Sequence, residues 1–295
     1  MADSGTDEGR SWDFQSAIAA DEVTPGPDGE PVDLRTDVAH VARIYDYWLG
    51  GKTNYPADRE VAEKVLAAMP STTQSVRANR SFLRRAVHLL AAERGIRQFL
   101  DIGTGVPSAD NTHEVAQRAA PDARVVYADN DPIVLAHAQA LLTSTTDGAT
   151  AYVQGDVREP GALLAKAAEL LDFSQPVALM LVAIMHCVSD DESPYDVVRT
   201  LAEALPAGSY LVLSHPGIAS AGAQTSTPSA DALAAAALLR SASAGATITF
   251  RSQEQVVPFF DGWDLLDPGV VLATKWRADE PEQTIVWAGV GHKPA

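Results

Sequence analysis

The chain has 295 residues, which fits one large α/β domain with an added segment or two small domains. A hydrophobic share of 46% is enough for a sizeable core and excludes a disordered chain. The formal net charge of −17 repels phosphate backbones and anionic lipid, so neither nucleic acid nor a membrane is an expected partner.

Cys187 is the single cysteine, which excludes an intrachain disulfide and a zinc site built from several cysteines. Its solitude suits a reducing cytoplasm. The acidic N-terminus lacks the basic and apolar regions of a signal peptide, so no export is expected. The apolar run Val177 to Val188 falls well short of the roughly 20 residues of a membrane span and reads as a buried strand.

Residues 1–35 are rich in Asp, Glu, Gly and Pro and read as a mobile acidic tail. Residues 36–95 read as a helical segment. Val41, Ile44, Tyr45, Trp48 and Leu49 share one helical face, in a helix from about Val38 that Gly50-Gly51 ends. A second helix is expected from about Pro56 to Met69, and a third from about Ser75 to Arg94.

From Arg97 the pattern becomes strand, turn and helix in alternation. Strands are expected at 97–102, 124–128, 150–154, 177–184 and 209–214, and helices at 111–119, 132–143, 160–171 and 194–205. Such alternation predicts a doubly wound, mostly parallel α/β sheet over 96–295. Residues 216–250 read as a lid-like insertion with a helix near 229–243. A helix at 252–260 and strands near 263–274 and 283–290 complete the chain.

Three acidic signals fall at the ends of three successive strands, where open α/β sheets bind ligands. The first is Asp101-Ile-Gly103-Thr104-Gly105, whose glycines let backbone approach a ligand. The second is Asp129, followed by Asn130 and placed where a carboxylate accepts both ribose hydroxyls. The third is Asp156-Val157, whose acid can receive the exocyclic amine of adenine. Ser108 replaces the third glycine of the dinucleotide fingerprint, and no phosphate-loop lysine follows. An acid at 101 favours the cationic S-adenosylmethionine and repels a pyrophosphate.

The chain resembles class I S-adenosylmethionine-dependent methyltransferases, and more narrowly an S-adenosyl methyltransferase family long described as a domain of unknown function. Carrying stretches are Arg43 to Asn54, Asn79 to Leu83, Phe99 to Gly105, Asn111 to Val115 and Tyr127 to Pro132. The resemblance implies a seven-stranded Rossmann-like sheet with an N-terminal helical extension. It also implies that Asp101, Gly103, Thr104 and Gly105 hold the methionine half, Asp129 the ribose, and Asp156 with Val157 the adenine, Asn130 lying beside the ring. Pro107 departs from the commoner third glycine of that motif.

Methyl transfer needs alignment of acceptor and methyl, and a base only where the acceptor must lose a proton. His186, past the fourth strand, and His215, ending the fifth, are the candidate bases. Tyr47, Gly51 and Asn54 are candidates for a turn closing over the cofactor, and Arg80 for pairing a carboxylate there or structurally. No metal spacing is seen. The expected activity is methylation of a small molecule. A cofactor-binding sensor or scaffold is the alternative from another class, and a nicotinamide-dependent oxidoreductase ranks third.

Overall fold

The computed structural model describes residues 35–108, 110–131, 134, 147–217, 229–242, 247–278 and 284–295. The acidic tail, the helix expected at 132–143 and much of the expected lid lie outside these residues. Helices α1 (Val41–Trp48), α2 (Pro56–Ala68) and α3 (Thr72–His88) precede the sheet, and a five-residue π turn at Leu89–Glu93 prolongs α3. Then follow β1 (Gln98–Ile102), α4 (Thr112–Ala119), β2 (Arg124–Asp129), β3 (Ala149–Gln154), α5 (Pro160–Ala167), β4 (Ala178–Val182), α6 (Pro194–Glu203) and β5 (Tyr210–Pro216). The chain ends with α7 (Ala230–Ala242), α8 (Gln253–Val256), β6 (Asp264–Leu265), β7 (Val271–Leu272) and β8 (Val286–His292).

The strand order is β3-β2-β1-β4-β5-β8-β6, with β7 also paired to β8. Strands β1 to β5 are parallel, and β8 runs antiparallel to β5. This is the doubly wound sheet expected, with seven strands on one path and a two-residue eighth. The order reverses between β1 and β4, which opens a crevice at the carboxyl edge.

Alternation along the strands sends side chains to two apolar layers. Phe99, Tyr127, Met180 and Val212 pack with Phe82, Leu83 and Val87 of α3. Leu100, Val126, Leu179 and Leu211 pack with Leu163 of α5, Val198 of α6, and Phe259. A third cluster joins Ile44 and Trp48 of α1, Ala62 and Val65 of α2, Val76 of α3, and Ala235 and Leu239 of α7.

Three expectations need correction. The strand foreseen at 177–184 ends at Val182, because Ala183 adopts a positive φ of 54° and turns the chain. The strand foreseen at 263–274 is two short pieces around a turn. Pro268 has no N–H for a ladder, and Gly269 N–H closes on the Leu266 carbonyl at 2.8 Å. The expected helix at 252–260 is α8 followed by a tighter 3₁₀ turn at Val257–Phe260.

Candidate cofactor and acceptor site

Asp101, Tyr127 and Tyr152 are register neighbours across β1, β2 and β3, so they form one row on the α3 face. Asp101 is buried, and its Oδ2 accepts from Thr112 Oγ1 at 2.6 Å. Burial pushes this carboxyl up to about 6, against the opposing pull of Thr112 and the Arg80 charge. Tyr127 stacks on Tyr152 with ring centres 5.0 Å apart, and its hydroxyl accepts from the His113 backbone N–H at 2.7 Å. The short motif at 111–113 thus acquires a physical meaning: Asn111 caps α4, Thr112 orients Asp101, and His113 anchors Tyr127.

The glycine turn closes on β2. Gly103 N–H donates to the Ala128 carbonyl at 2.8 Å, and Gly105 N–H donates to Asp129 Oδ2 at 2.9 Å. Thr104 Oγ1 turns back to the Asp101 carbonyl at 3.1 Å. Both glycines have positive φ, 76° and 64°. They differ in what surrounds them. A Cβ on Gly103 would meet Ile184 at 2.6 Å, so its bareness serves packing against the turn after β4. Among the described residues a Cβ on Gly105 would meet only Ala42 of α1, at 4.0 Å, so these residues leave that face of the turn open beneath α1.

Asp129 is buried, its second oxygen accepting from Asp131 N–H at 3.0 Å. Burial raises its pKa, with the two backbone donors opposing. Asp156 accepts from Asn130 Nδ2 at 3.0 Å, from Arg158 N–H at 2.9 Å and from Arg158 Nη1 at 3.2 Å. A carboxylate offers about four acceptor positions. Two donors leave room on Asp129 for further hydrogen bonds, whereas Nη1 also reaches the second Asp156 oxygen at 3.3 Å, so four contacts occupy Asp156 and a ligand there must share it with Arg158.

This donor set fits S-adenosylmethionine. Carboxylates end or follow three adjacent strands, the open face of Gly105 admits a ligand beside Asp129, and a cationic ligand meets negative charge. The structure brings the glycine turn with Asp101, Gly103, Thr104 and Gly105, the β2 end with Asp129 and Asn130, and Asp156 with Val157 after β3 to one edge of the sheet.

The residues at 46–54 build a closed turn around Asp46. Asp46 is buried at the end of α1, and its Oδ2 accepts from Thr53 N–H at 2.9 Å and Asn54 Nδ2 at 2.8 Å. Asn54 also donates to the Gly51 carbonyl at 3.0 Å, and its Oδ1 accepts from Arg59 at 3.1 Å. Its amide is therefore engaged at both ends within the loop. Gly51 is required because a Cβ there would overlap the Asp46 carboxylate, at 1.9 Å from Oδ1. Tyr47 directs its hydroxyl to Glu63 of α2. The turn is thus organised around Asp46, which carries no motif of its own.

Arg80 lies close enough to Asp101 for its charge to act there, and its Nη2 donates to the Asp110 carbonyl at 2.9 Å. One residue earlier, Asn79 connects elements. Ser214 Oγ donates to Asn79 Oδ1 at 2.5 Å, and Asn79 Nδ2 donates to Tyr45 Oη at 3.0 Å. Ser214 Oγ in turn accepts from Ala183 N–H at 3.0 Å.

Ser214 and His215 are consecutive, so they face opposite sides of the sheet. His215 is fully buried: Nδ1 donates to the Pro216 carbonyl at 2.9 Å, and Nε2 accepts from Arg251 Nη1 at 2.7 Å. Burial holds its pKa well below the usual value, and both ring nitrogens are engaged. His186 sits in the turn Met185–Cys187 after β4, its ring edge-on to His215 at 6.1 Å. Its Nδ1 is buried with no partner among the described residues, and burial brings its pKa down to about 4. Among the described residues no cluster of His, Cys, Asp and Glu side chains suits a metal ion, and no helix is long and apolar enough to cross a membrane.

A family model described as S-adenosyl methyltransferase matches residues 27–294. The chain is similar to a DUF574 family protein from Streptomyces avermitilis MA-4680, at 41% identity and a TM-score of 0.81, covering 88% of this chain and 99% of that one. It is also similar to a candidate methyltransferase from Thermobifida fusca YX, at 38% identity and a TM-score of 0.79, covering 90% and 98% of the two chains. Comparison with curated proteins gives no match. The glycine turn with its three strand-end carboxylates sits in a chain matched almost end to end: it belongs to the S-adenosyl methyltransferase family, with S-adenosylmethionine as its cofactor.

Proposed function

We propose that this protein transfers a methyl group from S-adenosylmethionine to a small-molecule acceptor. The observation that carries the reading is the pairing of Asp129 with Gly105 N–H, which sets a buried carboxylate beside the open face of the glycine turn. When bound, the cofactor supplies an electrophilic methyl on a sulfonium leaving group. The chain's part is to hold and align. Asp129 accepts the ribose hydroxyls, Asp156 and Val157 meet the adenine with Asn130 beside it, and Asp101 with residues 103–105 holds the methionine half.

His186 is the candidate for contact with the acceptor. With its pKa down to about 4 it is neutral at physiological pH, so it serves as a hydrogen-bonding group more readily than as a strong base. An acceptor that already carries a free lone pair suits such a site. A small, non-nucleic acceptor is supported by the charge of −17, and a cytoplasmic setting by the lone Cys187.

The test is calorimetry with S-adenosylhomocysteine on the wild type and Asp129→Ala, followed by methyl turnover over a panel of small acceptors. Binding that survives Asp129→Ala unchanged would remove the ribose assignment. A second reading, a sensor that binds the cofactor without turnover, is favoured by the engagement of both His215 nitrogens. Tight binding with no turnover across the panel would select it.

A further inference from the structure

The turn after β4 is held from two sides by two arginines. Arg251 is fully buried and donates to the Met185 carbonyl at 3.1 Å, the Val188 carbonyl at 3.1 Å and Asp190 Oδ1 at 2.6 Å. Arg158 donates from Nη2 to the Cys187 carbonyl at 2.6 Å and from Nε to Glu192 Oε1 at 2.6 Å. Thr249 N–H donates to the remaining carbonyl, that of His186, at 2.8 Å. Four consecutive carbonyls, 185 to 188, therefore each accept a bond from outside the turn.

The two arginines differ in what lies behind them. Arg251 is backed by His215, Tyr195 and Phe259, all within the apolar layer beneath. Arg158 is backed by Asp156, whose two oxygens receive its Nη1 at 3.2 and 3.3 Å. Glu192 is itself fixed by the Ser189 backbone N–H at 2.8 Å and hydroxyl at 2.7 Å. A planar guanidinium reaches three separated acceptors from three different nitrogens, whereas a lysine offers its three donors from a single atom and cannot span them.

We propose that Arg158 is a positioning residue that couples the adenine-side carboxylate Asp156 to the His186 turn. This rests on the assignment of Asp156 to the cofactor. A ligand amine arriving at Asp156 shares the carboxylate with Arg158, and the fork transmits that change to the Cys187 carbonyl and Glu192. Arg251, with no link to Asp156, is the fixed side of the same turn. Cofactor occupancy and the shape of the acceptor side are then one unit.

The test is hydrogen exchange over 185–193 with and without S-adenosylhomocysteine, on wild type, Arg158→Lys and Glu192→Ala, with calorimetric affinity beside it. The wild type should show slowed exchange on binding both at 156–158 and at 185–193. Arg158→Lys should bind about tenfold more weakly. At saturating ligand it should keep protection at 101–105 while losing it at 185–193. Glu192→Ala leaves the Asp156–Arg158 contact in place and should lose the same protection with an affinity change of less than about threefold.

A purely structural role would raise baseline exchange and leave the ligand-induced difference intact, and that result in both variants would overturn the proposal. So would a wild type that binds and protects 101–105 but not 185–193. A wild type that fails to bind S-adenosylhomocysteine at all would remove the cofactor assignment, and the proposal with it.

Discussion

His40 Nδ1 lies 3.0 Å from Asp131 Oδ2, joining the start of α1 to the loop after β2. The same nitrogen is 3.3 Å from Ala42 N–H, so His40 also caps α1. Ala42 is the residue over Gly105. One nitrogen cannot accept from Ala42 and donate to Asp131 at once, so His40→Ala is expected to cost about 1 kcal/mol, the loss of one of the two contacts. Urea unfolding measures the cost. Affinity for S-adenosylhomocysteine should fall about threefold or more as α1 loosens over the turn; unchanged affinity would separate α1 from the cofactor.

The two turn glycines should respond differently to the same change. Both pay the positive-φ cost on becoming alanine, about 1 kcal/mol. Gly103→Ala adds a collision with Ile184 at 2.6 Å, so stability should fall by several kcal/mol in all, on the order of an overpacked core. Gly105→Ala meets nothing closer than 4.0 Å, so stability should drop by only about 1 kcal/mol while cofactor affinity falls sharply. Thermal melts paired with calorimetry distinguish the two. Equal stability losses would refute the assigned surroundings.

Asp101 links stability to pH with a sign opposite to that of a salt-bridged acid. Burial pushes its carboxyl up to about 6, so the folded chain keeps a proton that the unfolded chain has released. Its contribution to stability therefore declines as pH rises from about 4 to about 6 and stays reduced above. Asp101→Asn removes this titration. The stability of the variant relative to wild type should grow by up to about 3 kcal/mol between pH 4 and pH 7. Cofactor binding should weaken in the same variant. A difference that is flat with pH would exclude Asp101 as the titrating group.

Arg43 and Asp58 form a buried ion pair at 2.9 Å that ties α1 to α2. Asp58 also accepts from His40 N–H and Tyr55 N–H, each at 2.8 Å. Asp58→Ala removes the counter-charge of Arg43, which keeps its carbonyl bonds, and the acceptor of two amides, and should cost about 3–5 kcal/mol by urea unfolding. A loss below about 1 kcal/mol would mean that water reaches the pair in solution.

The sheet was legible because its signals are local. Each apolar run with an acid at or just past its end marks both a strand and its ligand-facing edge, which is how Asp101, Asp129 and Asp156 emerged together. The inner order of the turn at 50–54 was not legible because its organiser, Asp46, acts by closing on Thr53 and Asn54, seven and eight residues on, and looks like an ordinary helix carboxylate. Arg158 and Arg251 were invisible for a different reason. Each holds the turn through backbone carbonyls, which every residue carries, and the carboxylates Glu192 and Asp190 that also pair them lie 34 and 61 residues away. The end of β5 could not be divided from the sequence alone: its last residues point alternately toward Asn79 and into the layer of Arg251 and Phe259.

That alternation makes the end of β5 a party wall. Ser214 belongs to the room containing Asn79 and Tyr45, His215 to the one containing Arg251 and Phe259. Adjacent letters in the sequence therefore answer to different tenants. A change at 214 works on the link through Asn79 to Tyr45 of α1, whereas a change at 215 works on Arg251 and the turn after β4 that it holds.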